Sequence, residues 1–352
     1  MKAIVCHQPG PLDNLVYEDV PTPHVGPHNV LVEMHAMGLN FTDLLAVTGR
    51  SQLGRALPMI AGVEGAGVVK SVGDSVITVK PGDRVMAVSV RGVFSEEALF
   101  DESEVCVIPD EMPMDVAATF FTASFTADYA LHDRAKLKAG ELLLVLGAGS
   151  GAGISAIQIG KSLGATVIAA ASSEDKLDLA REAGADGCVL YPAGDLDRDA
   201  SRALVKELLA LAPRPAETLP GECQIPQVKG TAGYHAIYDV IGGSYSEPAI
   251  RAIGWEGRYL SVGFSGGVPK VSLGPLLFKN ADILAIQPAD DNVRLPGKSR
   301  AMPRLIEWWR NGSLRPLITA RFHLSEAADA LRMMEERRAR GRIVLKTDQY
   351  RS

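Results

Sequence analysis

A glycine-rich segment near the middle of the chain has residue types and a spacing that suit the binding of a diphosphate. Residues 142–146 are consecutive aliphatic side chains, typical of a strand buried on both faces. The turn that follows has a glycine at every second position and leads into an apolar helical pattern, so backbone amides and a helix dipole would face an anion. The strict Gly-x-Gly-x-x-Gly spacing is not met, and a strand-to-helix turn without a ligand is the alternative. The glycines are Gly147, Gly149, Gly151 and Gly153.

The end of the next predicted strand indicates which dinucleotide would bind. Enzymes that prefer NADH carry an acidic residue there for the ribose 2′-hydroxyl. In this chain the position is Ala171, followed by Ser172, Ser173 and, one helical turn later, Lys176. Small hydroxyl residues and a cation suit a 2′-phosphate, so the sequence predicts NADPH. The two acidic residues before Lys176 are interpreted as first-turn acids that complement the helix dipole.

The composition is that of a two-domain globular protein. The chain has 352 residues, 47% of them hydrophobic and 22% charged, with a net charge of −6. This charge gives no reason to expect a nucleic-acid partner, and the absence of an apolar run near 20 residues argues against a membrane partner. We expect a cytoplasmic protein. No two cysteines form a C-x-x-C pair, which argues against a disulfide framework or a zinc knuckle. The cysteines are Cys6, Cys106, Cys188 and Cys223.

Two kinds of pattern divide the chain. Residues 1–125 contain short β-rich runs separated by proline and glycine turns, whereas residues 126–287 alternate six strands with helices. This alternation predicts an α/β fold with a doubly wound parallel sheet. Residues 288–352 are expected to return to the first domain, with helices near 302–310 and 325–339 and a closing strand at 342–346. A proline- and glycine-rich stretch at 212–233 is interpreted as an irregular surface insertion.

Several short motifs are specific when their order and spacing are taken together. They are GLNFTDLL at 38–45, PMIAGVEGAG at 58–67, PGDRV at 81–85, the glycine segment, AGAD at 183–186, DVIGG at 239–243 and GRIVL at 341–345. With these motifs nearly the whole chain resembles the medium-chain dehydrogenase/reductase superfamily, and within it the zinc-less quinone oxidoreductase (zeta-crystallin-like) branch. The resemblance implies a GroES-like catalytic domain, a Rossmann cofactor domain, NADPH as cofactor and a homodimer formed through the edge of the cofactor sheet.

The superfamily's zinc-dependent members hold a catalytic metal with two cysteines and a histidine. Those positions map here onto Asn40, Val63 and Thr122, and the acidic neighbour Glu64 is retained. Valine has no lone pair, and an amide and a hydroxyl are poor zinc ligands. The four-cysteine lobe that holds the structural zinc is also missing, since residues 90–103 contain no cysteine. A zinc-independent enzyme is therefore predicted.

Without a Lewis acid, hydride delivery to a quinone or enone is easier than alcohol oxidation. The developing charge spreads onto an oxygen that ordinary hydrogen-bond donors can hold. We therefore expect a reductase of quinones or other activated C=C acceptors. The alternatives are a reductase of α,β-unsaturated carbonyl compounds or acyl thioesters, and a non-catalytic, crystallin-like NADPH-binding protein.

Three residues are the catalytic candidates. The resemblance places Asn40 at the nicotinamide, with its amide donating to the substrate oxygen or fixing the nicotinamide ribose, while Asp43 orients that network and Thr126 contacts the nicotinamide. Local alternatives remain open: Asn40 and Asp43 have the residue types and spacing to cap a helix that starts near Leu44, and Thr126 suits a buried mid-helix position. The tyrosine that many relatives carry as a donor is missing from residues 49–52, which leaves Arg50, Ser51 or solvent as the proton source.

The resemblance assigns further residues to the cofactor. Ser150 stands where a glycine is usual, and we expect its hydroxyl to contact the diphosphate. Arg338, Arg340 and Arg342 are interpreted as a solvated basic face. The cofactor candidates are Asn40, Thr126, Gly149, Ser150, Gly151, Ala152 and Gly153, then Ser172, Ser173, Lys176 and Tyr191 and Arg337 near the 2′-phosphate, and Ile241, Gly263, Phe264 and Ser265 along the nicotinamide.

Overall fold

Two groups of strands make up the β structure. The computed structural model describes residues 1–51, 54–212, 233–288, 290 and 294–350. The strands are β1 (Lys2–Cys6), β2 (Leu15–Asp19), β3 (Asn29–Gly38), β4 (Met59–Ile60), β5 (Glu64–Val72), β6 (Arg84–Val88), β7 (Glu97–Asp101), β8 (Val105–Val107), β9 (Leu142–Leu146), β10 (Thr166–Ala171), β11 (Gly187–Leu190), β12 (Tyr234–Asp239), β13 (Ile253–Ser261), β14 (Asp282–Ala285), β15 (Ile318–His323) and β16 (Arg342–Lys346).

The helices range from four to thirteen residues in length. They are α1 (Phe41–Val47), α2 (Met114–Ala117), α3 (Phe121–Asp128), α4 (Gly151–Ser162), α5 (Glu174–Glu182), α6 (Arg198–Ala210), α7 (Ser246–Arg251), α8 (Gly274–Lys279), α9 (Met302–Arg310) and α10 (Ala327–Glu335). No helix among the described residues is both long and apolar enough to cross a membrane.

The chain divides into two units. The first comprises residues 1–125, 289–304 and 316–352, and the second comprises residues 126–288 and 305–315. The sequence predictions placed 305–315 in the first domain. This segment joins the second unit because the Gln158 side chain bonds both backbone polar groups of Arg315, at 2.9 and 3.1 Å. The predicted insertion at 212–233 lies almost entirely outside the described residues.

The second unit contains a six-stranded parallel sheet in the order β11-β10-β9-β12-β13-β14. All five residues of β9 are buried because this strand is central and covered on both faces. Strand β9 lies between β10 and β12, and the strand numbers rise in opposite directions on its two sides. Ligands of open α/β sheets bind at such a switch point. The predicted doubly wound parallel sheet is therefore confirmed.

The first unit contains a seven-stranded sheet and a three-stranded sheet. The larger has the path β15-β16-β3-β5-β6-β8, with β7 also paired to β3, and the smaller has the order β2-β1-β4. Their inner faces share one hydrophobic core that includes Val32, Met34, Phe100 and Leu345. The helix predicted over 325–339 ends at Glu335, because Arg337 adopts a left-handed backbone conformation (φ 58°) before β16 begins.

Strand register in the first unit brings three distant segments to one point. Val344 of β16 lies opposite Gly38 of β3, and Gly38 lies opposite Glu64 of β5. Both pairings are antiparallel, so continuing the β16–β3 register by two residues places Arg342 opposite Asn40. Residues that are far apart in sequence are in this way collected at the end of β3.

Candidate functional site

The turn between β9 and α4, residues 147–153 (the glycine turn), is closed by a side chain. Ser150 is the N-cap of α4: its Oγ accepts a hydrogen bond from the Gly153 amide at 3.1 Å and donates to the Gly147 carbonyl oxygen at 2.8 Å. A Cβ on Gly153 would overlap that carbonyl oxygen. The single hydroxyl proton of Ser150 is committed to Gly147, so the expected donation from Ser150 to a diphosphate is not what this geometry shows.

The first amides of α4 are the anion-binding groups that the glycine turn retains. The first four N–H groups of a helix have no acceptor within the helix. Ser150 satisfies the amide of Gly153, which leaves the amides of Gly151 and Ala152 directed at the start of the helix. These donors and the helix dipole fit a diphosphate.

The β10–α5 junction lies against the glycine turn. Ala171 is buried at the end of β10, Ser173 is the N-cap of α5, and the Lys176 ammonium lies 3.4 Å from the Ser172 hydroxyl. A Cβ on Gly149 would overlap the Cβ of Lys176, so glycine at 149 admits the lysine. The structure therefore brings the predicted 2′-phosphate residues next to the glycine turn.

Glu174, an acidic residue in the first turn of α5, has its own cationic partner on that helix. Glu174 pairs with Arg181 at 3.2 Å on the exposed side of the helix. This arrangement agrees with the interpretation of Glu174 as a surface acid. The end of β10 accordingly has a cation and hydroxyl groups.

Two loops that follow β12 and β13 are joined by backbone hydrogen bonds. The Gly266 amide donates to the Ile241 carbonyl oxygen at 2.7 Å, and the Gly263 amide donates to the Asp239 carbonyl oxygen at 3.2 Å. The buried Asp239 carboxylate holds the first loop by accepting the Ile241 amide at 2.7 Å. The predicted nicotinamide-lining residues Ile241, Gly263 and Ser265 are thus in one place, and the Phe264 side chain there is 40% exposed.

Three other predicted cofactor residues are placed as follows. Tyr191 is buried and packs its ring on Tyr245, with 4.8 Å between centroids. Arg337 lies in the left-handed turn after α10, in the first unit. Thr126 is partly exposed within α3, in the second unit. Their contacts with a cofactor stay predictions.

A buried polar group in the first unit consists of Asn40, Glu64 and Arg342, together with Asp43 (the polar cluster). Asn40 is the N-cap of α1, which begins at Phe41, and the Asp43 carboxylate accepts the Asn40 backbone amide at 2.8 Å. Asp43 therefore has the capping role considered from the sequence. The Asn40 side chain takes part in a different set of bonds.

The Asn40 side chain is held between a carboxylate and a guanidinium. Its Nδ2 donates to Glu64 Oε2 at 3.0 Å, and its Oδ1 accepts from Arg342 Nη1 at 3.1 Å. A carboxylate only accepts and a guanidinium only donates, so these partners fix which way the amide faces. A second Asn40 contact, from Nδ2 to the Gly38 carbonyl oxygen, is long at 3.4 Å.

Glu64 and Arg342 form a buried ion pair within the polar cluster. Arg342 Nη2 donates to Glu64 Oε2 at 2.9 Å, and the Thr122 backbone amide donates to Glu64 Oε1 at 2.7 Å. Glu64 is 1% exposed and Arg342 is 6% exposed. The expectation that Arg342 belongs to a solvated basic face is wrong, because its position opposite Asn40 in the sheet turns the side chain inward.

Asp43 is a buried carboxyl group beside this ion pair. One of its oxygens, Oδ1, has no hydrogen-bond partner among the described residues. Burial raises the pKa of Asp43 to about 7, and the charge of Glu64 acts in the same direction. The Asn40 amide, Arg55 and Arg342 lower the pKa, but they do not outweigh the loss of hydration.

Comparisons with known proteins identify the family of this chain. Residues 26–137 match the family model described as alcohol dehydrogenase GroES-like domain, and residues 151–293 match zinc-binding dehydrogenase. The chain is 32% identical to quinone oxidoreductase-like protein 2 of Bos taurus, over 94% of this chain and 88% of that protein. It is 31% identical to a quinone oxidoreductase of Pseudomonas aeruginosa, over 94% and 95%. The chain belongs to the medium-chain dehydrogenase/reductase superfamily, in its quinone oxidoreductase-like branch.

Solved structures agree with this membership. A mycobacterial protein solved in complex with NADPH is 26% identical, with a TM-score of 0.85 over 98% of this chain and 99% of that chain. A quinone oxidoreductase of Pseudomonas syringae is 27% identical, with a TM-score of 0.82 over 98% and 99%. The family and the fold class predicted from the sequence, a Rossmann sheet with a GroES-like domain, are confirmed.

One of the two matching family models is described as zinc-binding dehydrogenase, but the residues present do not fit a catalytic zinc ion. At the positions where zinc-dependent members of the superfamily hold the metal, Asn40 is bonded to Glu64 and Arg342, and Val63 has an aliphatic side chain. The Thr122 backbone amide donates a hydrogen bond to Glu64, so the carboxylate that would have to bind a metal already accepts from the protein. Within the described part of the chain, no group of three or more His, Cys, Asp or Glu side chains is arranged to hold a metal ion.

Sequence reasoning missed the contribution of Arg342 and underrated that of Glu64. Arg342 lay in a run of arginines that looked solvated, and Glu64 was examined only as a metal ligand. The signal that identifies both residues is the antiparallel register that β3 shares with β5 and β16. That register depends on which strands pair, which the local sequence pattern does not reveal.

Proposed function

We propose that this chain is a zinc-independent, NADPH-dependent oxidoreductase that transfers hydride to a quinone or another activated C=C acceptor. The observation that carries the proposal is the polar cluster: where zinc-dependent members of the superfamily hold a Lewis acid, the first unit has an amide fixed between Glu64 and Arg342. The names of the relatives, two of them quinone oxidoreductases, support the acceptor class.

The second unit supplies the groups that would hold NADPH. The amides of Gly151 and Ala152 suit the diphosphate, and Lys176 with Ser172 suits the 2′-phosphate. Ile241 and the 263–266 loop, tied together by backbone bonds, would line the nicotinamide. The NADPH complex of the mycobacterial relative supports this assignment.

When bound, the reduced nicotinamide supplies a hydride. Addition to a C=C bond conjugated with a carbonyl moves negative charge onto the carbonyl oxygen, where neutral donors stabilise it without a metal. Glu64 and Arg342 hold the Asn40 amide in one orientation, and the Nδ2 hydrogen that faces Gly38 at 3.4 Å is only weakly engaged. This hydrogen is the one that Asn40 would offer to the substrate oxygen or to the nicotinamide ribose.

A panel assay tests the proposed function. The purified chain is given NADPH or NADH with quinones, enones and an enoyl thioester, and consumption of the reduced cofactor is followed. We expect NADPH-dependent turnover that is greatest with quinones or simple enones. Preference for the thioester would show that the acceptors are acyl thioesters instead of quinones. Tight NADPH binding without turnover of any acceptor would support a non-catalytic, crystallin-like protein.

Metal analysis is the matched test of zinc independence. We expect well under one zinc per chain and unchanged turnover after treatment with a chelator. A stoichiometric zinc content whose removal abolishes turnover would refute the zinc-independent reaction, whatever the acceptor.

We also propose a homodimer formed through the edge of the second unit's sheet. Strand β14 ends the sheet order, so one of its edges has no strand neighbour in the path, and Ile283 on it is exposed. On the neighbouring α8, Leu277 is 79% and Phe278 is 68% exposed. An edge strand beside exposed apolar side chains suits a second copy of the chain.

Light scattering of the full chain tests the assembly. Phe278→Asp should shift the mass from dimer toward monomer, because it places a charge in the apolar surface. Ile77→Asp is the control, since Ile77 is also an exposed apolar side chain, at 89%, but belongs to the first unit. A wild-type chain that is monomeric at high concentration would contradict the dimer. The cytoplasmic location expected from the sequence stays a prediction.

A further inference from the structure

Arg342 is the member of the polar cluster that lies farthest along the chain from the other three. It begins β16, and the sheet register places it opposite Asn40, although 302 residues separate them in sequence. Its guanidinium makes one bond to Asn40 Oδ1 and one to Glu64 Oε2, at 3.1 and 2.9 Å. We propose that Arg342 is a positioning residue that fixes the Asn40 amide for the reaction, an inference that rests on the proposed function.

The three side chains form a closed set of hydrogen bonds. Arg342 donates to Asn40, Asn40 donates to Glu64, and Glu64 accepts a second bond from Arg342. Each bond has at least one charged partner, which makes it stronger than a bond between neutral groups. Reversing the amide would place its oxygen against a carboxylate and its N–H group against a guanidinium, so the closed set admits a single amide orientation.

Without Arg342, nothing in the polar cluster would hold that orientation from the oxygen side. Glu64 would still accept from Asn40 Nδ2, but Oδ1 would lose its donor and the amide would gain rotational freedom. A hydride transfer depends on reacting groups held in place, so loosening one donor lowers the rate more than it weakens binding of the cofactor. The charged or titratable groups beside these three side chains are Asp43, which belongs to the polar cluster, and Arg55.

Lysine is not an equivalent of arginine at this position. Its ammonium is a compact charge on a flexible stem, whereas the planar guanidinium reaches Asn40 and Glu64 with two separate nitrogens. Arg342→Lys therefore keeps the charge that Glu64 needs and removes the fixed geometry. This separates a positioning role from a structural one.

The test compares Arg342→Gln, Arg342→Lys, Asn40→Ala and the double variant Asn40→Ala/Arg342→Gln in the full chain, with NADPH and a naphthoquinone as the probe acceptor. We expect Arg342→Gln to lower kcat about tenfold or more while the KM for NADPH changes within about threefold. Arg342→Lys should unfold near the wild-type temperature yet recover only part of kcat. Arg338→Gln is the control, because Arg338 is exposed and pairs with Glu336.

The double variant decides whether Arg342 acts through Asn40. If it does, the double variant has the kcat of Asn40→Ala within about twofold, because Arg342 has no amide left to position. Losses in kcat that multiply, full activity in Arg342→Lys, or a lower unfolding temperature in Arg342→Gln with unchanged kcat would each overturn the proposal.

A readout that needs no substrate separates this proposal from the proposed function. Hydrogen exchange of the Asn40 side-chain amide, assigned by its loss in Asn40→Ala, should be slow in the wild type and fast in Arg342→Gln. If no acceptor is turned over but this protection depends on Arg342, the proposed reaction fails while the fixed amide stands. Equal exchange in both proteins would refute the positioning role.

Discussion

The glycine turn of the second unit and the polar cluster of the first unit are built in opposite ways. The glycine turn is one continuous segment, and the groups proposed to hold the diphosphate are backbone amides at the start of α4. The polar cluster uses side chains from three parts of the chain, and sheet register alone brings them together. One site is local and the other is assembled by the fold.

The two sites also differ in how their charges are satisfied. In the polar cluster the charge of Glu64 is met by Arg342, and both side chains are buried. At the β10–α5 junction Lys176 is partly exposed, and its ammonium lies 3.4 Å from the neutral Ser172 hydroxyl. A closed set of charges organises the protein itself, whereas a cation beside neutral hydroxyl groups suits an anion from solution.

The largest effect is expected from breaking the closed set. Glu64→Ala leaves the Arg342 charge buried without its partner, which costs about 3–5 kcal/mol of unfolding free energy. Urea unfolding measures it, and Glu174→Ala is the control, because the exposed Glu174–Arg181 pair is worth at most about 1 kcal/mol. Equal effects of the two substitutions would show that the polar cluster is not a closed buried unit.

The next effect concerns the acid inside the polar cluster. Because burial raises the pKa of Asp43 to about 7, the folded chain keeps a proton that the unfolded chain has lost between roughly pH 4 and pH 7. Unfolding releases that proton, so the free energy of unfolding falls as the pH rises through this window. We expect the wild type to lose roughly 2–3 kcal/mol relative to Asp43→Asn between about pH 5 and about pH 7.5. A constant difference across this range would contradict the buried, proton-bearing carboxyl group.

A smaller effect tests the role proposed for Lys176 in the second unit. Lys176→Ala removes a charge-assisted bond to the 2′-phosphate, so the Kd for NADPH should rise about tenfold to a hundredfold. NADH has no such phosphate, and its Kd should stay within about threefold of the wild-type value. Fluorescence titration measures both, and the exposed Lys206 on α6 provides the control substitution. Equal weakening of the two cofactors would remove the basis for the NADPH preference.

The smallest effect tests whether the Ser150 hydroxyl caps α4 or binds the diphosphate. Ser150→Ala removes the bonds to Gly147 and Gly153, and loss of such an N-cap lowers stability by about 1 kcal/mol. Because the hydroxyl proton is directed at Gly147, NADPH binding should weaken less than it does in Lys176→Ala. A loss of NADPH affinity as large as that of Lys176→Ala would instead support the contact between the Ser150 hydroxyl and the diphosphate that the sequence predicted.

What the sequence predicted well is what depends on neighbouring residues. The aliphatic run at 142–146 became the central strand β9, and the helix at 302–310 has the expected bounds. The pattern predicts such elements because burial on both faces and helical periodicity leave their mark within a few residues. The absence of a carboxylate at the end of β10 could be predicted because it depends only on the residues that follow the strand.

What the sequence did not predict depends on contacts across the chain. Residues 305–315 belong to the second unit through the bonds between Gln158 and Arg315, which no local pattern shows. Arg340 is exposed and Arg342 is buried, although both stand in the same basic run, because strand pairing begins between them. A charge pattern that looks solvated is therefore a weak guide where a strand starts.

The contact between Gly149 and Lys176 gives the cofactor preference an evolutionary and engineering consequence. The Cβ of Lys176 fills the space over position 149, and every residue except glycine carries that atom. Substitutions at 176 therefore change the charge offered to a 2′-phosphate while glycine stays required at 149. A route from NADPH toward NADH runs through 176 alone, whereas any larger residue at 149 would displace the start of α5 and the lysine with it.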